Sequence, residues 1–423
     1  MGLDRSKAPE FNIPEDFVLS NPSGHLLKSG VTLYFTPTPF IDAVKLEVIG
    51  KSARNDLSLA HSLVPSFTLQ MLLEGTKDFS EHQLSEFFDF HASEVHPHLS
   101  FSHEGISLLS TKKHIREVLP VFISLFTEAV FPEESLEKRK SQRKLSLKLE
   151  KEKSSSRASQ LFRSALFGFE HPFGQEIVEA HVDVIQRDLV NSYYENHLWQ
   201  DCEIFLCGNL DDSELKEFKS ILSSIPKRRK SETKSIITPK TTFSLKEERP
   251  DALQSSIRLG DWSIPKSHPD FHALSVFNTI LGGYFGSRLV KNIREDKGHT
   301  YGISSSLVEI GDYNYWVIGA DVQKAFKEEV VAEIYQEIKK LTQEPVSKEE
   351  LEIVRNYLIG QMLSKFSSSF DLMDRFRAVH HSGLDFSFYQ KKLEFLKKFT
   401  ADDLLKIGQL YFSKSSFVEV AVG

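Results

Sequence analysis

The chain has 423 residues, 40% of them hydrophobic, and a formal net charge of −7. That is enough apolar material for two domains with proper cores, and it excludes both a disordered chain and a small fold stapled by disulfides. The modest acidic balance offers no attraction to nucleic acid or an anionic membrane, and no stretch approaches eighteen uninterrupted apolar residues. The first residues, MGLDRSKAPEF, lack an apolar core followed by a small-residue cleavage site, so a cytoplasmic protein is expected, with removal of a leader left open.

In chain order, Val44, Leu46 and Val48 alternate with Lys45 and Glu47, the period of a half-buried antiparallel strand. The run His91, His96, His98, His103 invites a metal reading. On a helix, however, His91 and His96 diverge by about 140°, and on a strand His96 and His98 share a face without a third ligand. No metal site is therefore assigned there. Val118, Val121, Phe122, Leu125 and Phe126 form one helical stripe, and a long helix is expected after Pro132 towards Ser154. Its charges from Lys138 to Lys153 mix signs and read as a solvated face. Cys202 and Cys207, five apart in a strand-like run, point to opposite faces and cannot readily pair, which leaves buried free thiols.

Two halves align at an offset of about 215 residues. Glu134-Ser135-Leu136-Glu137 corresponds to Glu349-Glu350-Leu351-Glu352, Asp188-Leu189 to Asp403-Leu404, and the strand Cys202 to Gly208 to the strand Phe417 to Gly423. Between them the apolar periodicity lapses into a basic, Ser/Thr/Lys-rich stretch. The division expected is an N-terminal domain 1–226, a linker 227–242 and a homologous C-terminal domain 243–423. The second half has strands near Ser255 to Leu259, Ile303 to Val308 and Tyr315 to Val322, then helices from Phe326. Each half reads as α+β, an antiparallel sheet with helices packed on one face.

The segment Leu281 to Ile303, LGGYFGSRLVKNIREDKGHTYGI, combines a glycine-rich turn, a charged helix end and a tyrosine. Gly298 stands where a helix ending in Arg294 to Lys297 needs a left-handed stop, and a strand follows from Thr300. Arg294 and Tyr301 would then be a guanidinium fork and a phenol on adjacent elements, suited to gripping a carbonyl or oxyanion. A helix C-terminus stabilised by basic side chains is the other reading of the same spacing.

This segment resembles the second half of the pitrilysin/insulinase family of zinc peptidases, on Ser287-Arg288-Leu289 and Gly298-His299-Thr300-Tyr301. Arg54-Asn55, Glu74-Gly75-Thr76, Phe131-Pro132-Glu133 and His171-Pro172-Phe173-Gly174 follow the family's order in the first half, so the resemblance covers nearly the whole chain. It implies two sandwich-like domains facing each other as a half-clam. Active members carry HxxEH, with a further glutamate roughly seventy-five residues on, to hold zinc and activate water. Registering on Glu74-Gly75-Thr76 puts Ser66, Leu69 and Gln70 at those positions, and Leu145-Ser146-Leu147 near the last ligand. A register starting at His61 puts Val64 and Pro65 in the motif instead. No metal is expected in this chain.

In the family's two-chain peptidases, mitochondrial processing peptidase among them, one subunit bears HxxEH and its homologue bears the Arg/Tyr pair. The resemblance implies the second kind: a non-catalytic, peptide-binding subunit, inactive alone, whose partner is an HxxEH-bearing homologue that carries the zinc. A proteolytically inactive structural or peptide-binding homologue that self-associates is the alternative. A stand-alone hydrolase has no nucleophile elbow, HExxH or P-loop to support it. A homodimer of the isolated chain is compatible with either reading.

Overall fold

The computed structural model describes residues 19–228, 238–366 and 368–423. The N-terminal residues read for a leader, and 229–237 of the expected linker, lie outside the described residues. The first half contributes β1 (Ser23–Leu26), β2 (Thr32–Pro37), β3 (Ala43–Lys51), α1 (Val64–Met71), α2 (Glu81–Phe90), β4 (Glu94–Leu99) and β5 (His103–Thr111). It continues with α3 (Ile115–Thr127), α4 (Glu133–Glu152), α5 (Ser154–Phe167), α6 (Glu179–Asp183), α7 (Arg187–Asn196), β6 (Gln200–Gly208) and α8 (Asp212–Leu222). The second half runs β7 (Ser244–Glu247), β8 (Gln254–Trp262), α9 (Phe271–Asn278), β9 (Thr300–Ile310), β10 (Tyr313–Gln323), α10 (Lys327–Gln343), α11 (Lys348–Ser364), α12 (Ser369–His380), α13 (Ser387–Lys398), α14 (Ala401–Tyr411) and β11 (Val418–Val422).

The architecture is α+β, two sheets each packed with helices, and the two sheets repeat one order. The first is β1-β2-β6-β3-β5-β4 and the second β7-β11-β8-β10-β9. Each sheet is antiparallel except at one place: β2 with β6, and β11 with β7, run parallel. The physical reason is connection length. Hairpin neighbours such as β9 and β10 must be antiparallel, whereas β6 and β11 arrive after long helical excursions and are free to enter either way.

One face of each sheet carries its own helices. In the first, Val44, Leu46, Val48, Ile106, Leu108, Ile204 and Leu206 pack with Val118, Phe122 and Phe126 of α3, as the alternation and the stripe require. The opposite face is partly covered by a helix from the other half. On α5, Ala158, Leu161, Phe162 and Ala165 pack with Tyr315, Val418, Val420 and Val422 of the second sheet. On α12, Met373 and Phe376 pack with Ile49, Phe205 and Cys207 of the first. The exchange is reciprocal, since α5 begins at Ser154 and α12 at Ser369, again about 215 residues apart. A charged network reinforces it: Lys45 Nζ lies 2.8 Å from Asp374 and 3.3 Å from the buried Glu47, which Arg377 of α12 also approaches at 3.0 Å. The thiols of Cys202 and Cys207 are free and buried, each pushed up to about 12 by burial.

Candidate functional site

The glycine-rich segment is built tightly onto β9. After α9 the chain makes a π-helical turn, Thr279–Gly283, and Asn278 clasps Ser305, accepting from its Oγ at 2.6 Å and donating to its carbonyl at 3.1 Å. A Cβ on Gly282 would come within 2.7 Å of the Ser305 amide nitrogen, so only glycine permits this approach. A second π-helical stretch, Val290–Asp296, ends with the Lys297 N–H on the Asn292 carbonyl and with Gly298 at φ +67°, the left-handed stop expected from the sequence.

Most polar side chains here are consumed internally. Arg288 makes a two-pronged contact with Glu350 at 3.1 and 2.8 Å, and Asn292 reaches Glu333 and Glu337, each at 2.8 Å. Lys297 pairs with Glu333 at 2.6 Å, a hydrogen bond that raises its pKa, while His299 stacks on Phe326 and lies 3.2 Å from Glu329. Hydrogen bonds from His299 and then Lys297 lower the Glu329 pKa. Ser287 and Leu289 are fully buried, so Ser287-Arg288-Leu289 is a framework element.

Arg294 and Tyr301 differ. Among the described residues neither side chain has a hydrogen-bond or ion-pair partner. The Arg294 guanidinium lies 4.7 Å from the ring centre of Phe285, itself 66% exposed, and Tyr301, second residue of β9, is 91% exposed. Farther along the sheet, Gly302, Ser304, Ser306, Gly319, Arg258 and Asp321 line a shallow polar depression that Tyr301 does not border.

Residues 185–358 match the family described as the peptidase M16 inactive domain. Over that stretch the chain is similar to the peptidase M16 inactive domain. A Bacillus subtilis (strain 168) protein named "Uncharacterized zinc protease YmxG" is 23% identical over 355 residues, covering 82% of this chain and 85% of that protein. A Pseudomonas fluorescens structure described as a peptidase M16 inactive domain has a TM-score of 0.84 at 20% identity, over 96% of this chain and 98% of that one. The periplasmic protease PqqL from Escherichia coli matches at TM-score 0.79 and 13% identity, over 97% of this chain but 46% of its own.

M16 peptidases imply zinc, and the residues at the motif positions do not fit it. On α1, Leu69 is packed in the core, and Gln70 donates to Ser66 Oγ at 3.5 Å. An alkyl group, a hydroxyl and an amide supply neither a general base nor a good ligand set. On α4, Ser146 and Arg143 both donate to Glu150, at 2.7 and 2.8 Å, while Leu145 and Leu149 face solvent. Of the family's other motif residues, Glu74 accepts from Arg139 at 2.6 Å and anchors α4.

The histidine run is dispersed. His96 and His98 sit on the edge strand β4, and His103 begins β5, where it stacks on His381. His91 instead caps α2, bonds the Phe87 carbonyl at 2.7 Å and meets Glu117 at 2.9 Å. With His114 these two could hold a cation, their ligand atoms all lying within 4.8 Å of one another. Sequence reasoning missed this trio because its members come from two helix ends brought together only by folding.

Proposed function

We propose that this chain is the non-catalytic, substrate-binding subunit of a heterodimeric zinc metallopeptidase that cleaves peptides or unstructured polypeptides. In this reading Arg294 and Tyr301 are offered to a peptide held at the metal centre of an HxxEH-bearing homologue. The observation that carries it is the contrast within one segment. Arg288, Asn292 and Lys297 are spent on internal carboxylates, whereas among the described residues the half-buried Arg294 meets only the ring of Phe285 and the exposed Tyr301 has no hydrogen-bond or ion-pair partner. A guanidinium and a phenol held on a rigid framework cost little reorganisation when they meet a carbonyl whose oxygen gains negative charge. The chain has no base at its own motif positions, so water activation falls to the partner. Residues 1–226 and 243–423 would be the two walls of a half-clam.

The test is co-expression with an HxxEH-bearing homologue, size-exclusion chromatography, and hydrolysis of a quenched fluorescent peptide by the complex. A stable complex should bury at least about 1,200 Å². Tyr301→Phe and Arg294→Ala should each lower hydrolysis roughly a hundred- to a thousandfold without preventing assembly, and Arg294→Lys should not restore it. Full activity from both variants would reduce the pair to structural roles, and separate elution with self-association of the pure chain would favour the inactive homologue.

A further inference from the structure

A cavity of about 570 Å³ lies between α4, α5 and the segment 175–180, closed on one side by Arg54 and Phe101. Its cations are unequally compensated. Arg143 is paired with Glu150 at 2.8 Å, and Arg157 with Glu176 at 2.9 Å. Arg163 has only a neutral partner, donating from Nη2 to Gln160 Oε1 at 2.6 Å, and its Nε is buried with no acceptor. Among the described residues Arg54 has no side-chain hydrogen bond or ion pair. Both guanidiniums approach one ring, Arg54 at 4.5 Å and Arg163 at 5.7 Å from the centre of Phe101.

Two partly buried like charges against one aromatic ring are costly, and the ring offsets only part of the cost. Burial first, then the neighbouring Arg163 and Arg143, lowers the Arg54 pKa to about 10, and burial lowers that of Arg163. Arg54 thus stays charged at neutral pH, as does any guanidinium in ordinary surroundings. The missing component is an anion. Phe101, Leu147 and Ile177 line the same space, so a ligand with an apolar body beside its charge fills it better than a small inorganic ion.

We propose that this cavity is an anion subsite that takes a carboxylate of a bound peptide, terminal or side-chain, between Arg54 and Arg163. It rests on the peptide-binding reading for the kind of molecule and on nothing else in it, since neither Tyr301 nor a partner chain is involved. The carboxylate would accept from the unengaged fork of Arg54, the two-pronged grip for which arginine is suited, with the Arg163 guanidinium beside it adding positive charge.

The experiment is fluorescence anisotropy on the isolated full chain with one N-terminally labelled decapeptide in four forms. These are a free C-terminal acid without acidic residues, its amide, the amide with a central Glu, and the amide with a central Gln. The terminal acid, the Glu peptide or both should bind roughly ten- to a hundredfold more tightly than the neutral forms, and which arm shows the gain identifies the carboxylate. Arg54→Gln and Arg163→Gln should each remove most of that gain while leaving the neutral peptides unchanged. Because each removes an uncompensated charge, both should melt at or above the parent temperature, and the four-peptide comparison needs no variant at all. Equal affinity for acid and neutral forms, or a preference that survives both substitutions, would overturn the proposal. So would displacement of bound peptide by inorganic phosphate without any acid preference. A Tyr301-dependent complex lacking acid preference would sink this subsite alone.

Discussion

Glu104, on β5, has 1% of its surface exposed. Its Oε2 accepts from the Tyr193 hydroxyl at 2.8 Å, its Oε1 has no partner, and the same hydroxyl accepts from the Ala53 N–H at 3.2 Å. The chain Glu104, Tyr193, Ala53 thereby anchors the turn that carries Arg54. Burial pushes the carboxyl up to about 8, against the opposing hydrogen bond from Tyr193. The folded state then holds a proton that the unfolded state, with its ordinary value of 4.5, releases. The stability that this group contributes is present below pH 4.5 and is lost as pH rises from there towards 8, at about 1.4 kcal/mol per unit, or about 3 kcal/mol between pH 5 and 7. Glu104→Gln removes the titrating group while keeping an oxygen for Tyr193, so this part of the pH slope should vanish whatever happens to absolute stability. Urea unfolding at pH 5, 6 and 7, followed by fluorescence of the buried Trp199 and Trp316, measures it. Parallel pH dependences for the parent and Glu104→Gln would refute the reasoning.

Two other predictions concern the framework and the metal. Phe376→Ala on α12 should cost about 3–5 kcal/mol, because that ring is 4% exposed and sits 5.3 Å from Tyr34 of the first half and 5.6 Å from Phe386. A loss under about 1 kcal/mol in denaturant titration would mean the exchanged helix is not a structural tie. Chelator-treated chain, dialysed and analysed for elements, should retain no stoichiometric zinc at α1. One zinc per chain that is lost in Ser66→Ala or Gln70→Ala would contradict the assignment of those side chains.

Much of this protein was decided locally and could be read residue by residue. Alternation at Val44, Leu46 and Val48 specifies a strand buried on one face because side chains alternate across a sheet whatever the fold. Pro132 starts α4, and Gly298 stops the second π-helical stretch, because their backbone preferences are intrinsic. Ser66, Leu69 and Gln70 lack the atoms zinc chemistry needs, and no packing can supply them. The repeat, too, is a property of the string, and the matching strand orders of the two sheets follow it.

What only the tertiary structure decided is pairing across distance. The parallel contact of β2 with β6 and the exchange of α5 and α12 depend on long connections that leave no local signal. The charges from Lys138 to Lys153 read as a solvated face, yet Arg143, Lys148 and Lys151 border the cavity whose other walls come from residues 54, 101 and 163. Likewise no spacing rule distinguishes Arg288 from Arg294. One finds Glu350 on α11 and becomes framework, while the other finds no carboxylate among the described residues and stays free. A cation's role is set by whether folding delivers it a counter-charge, and that is a property of three-dimensional proximity that a one-dimensional pattern does not carry.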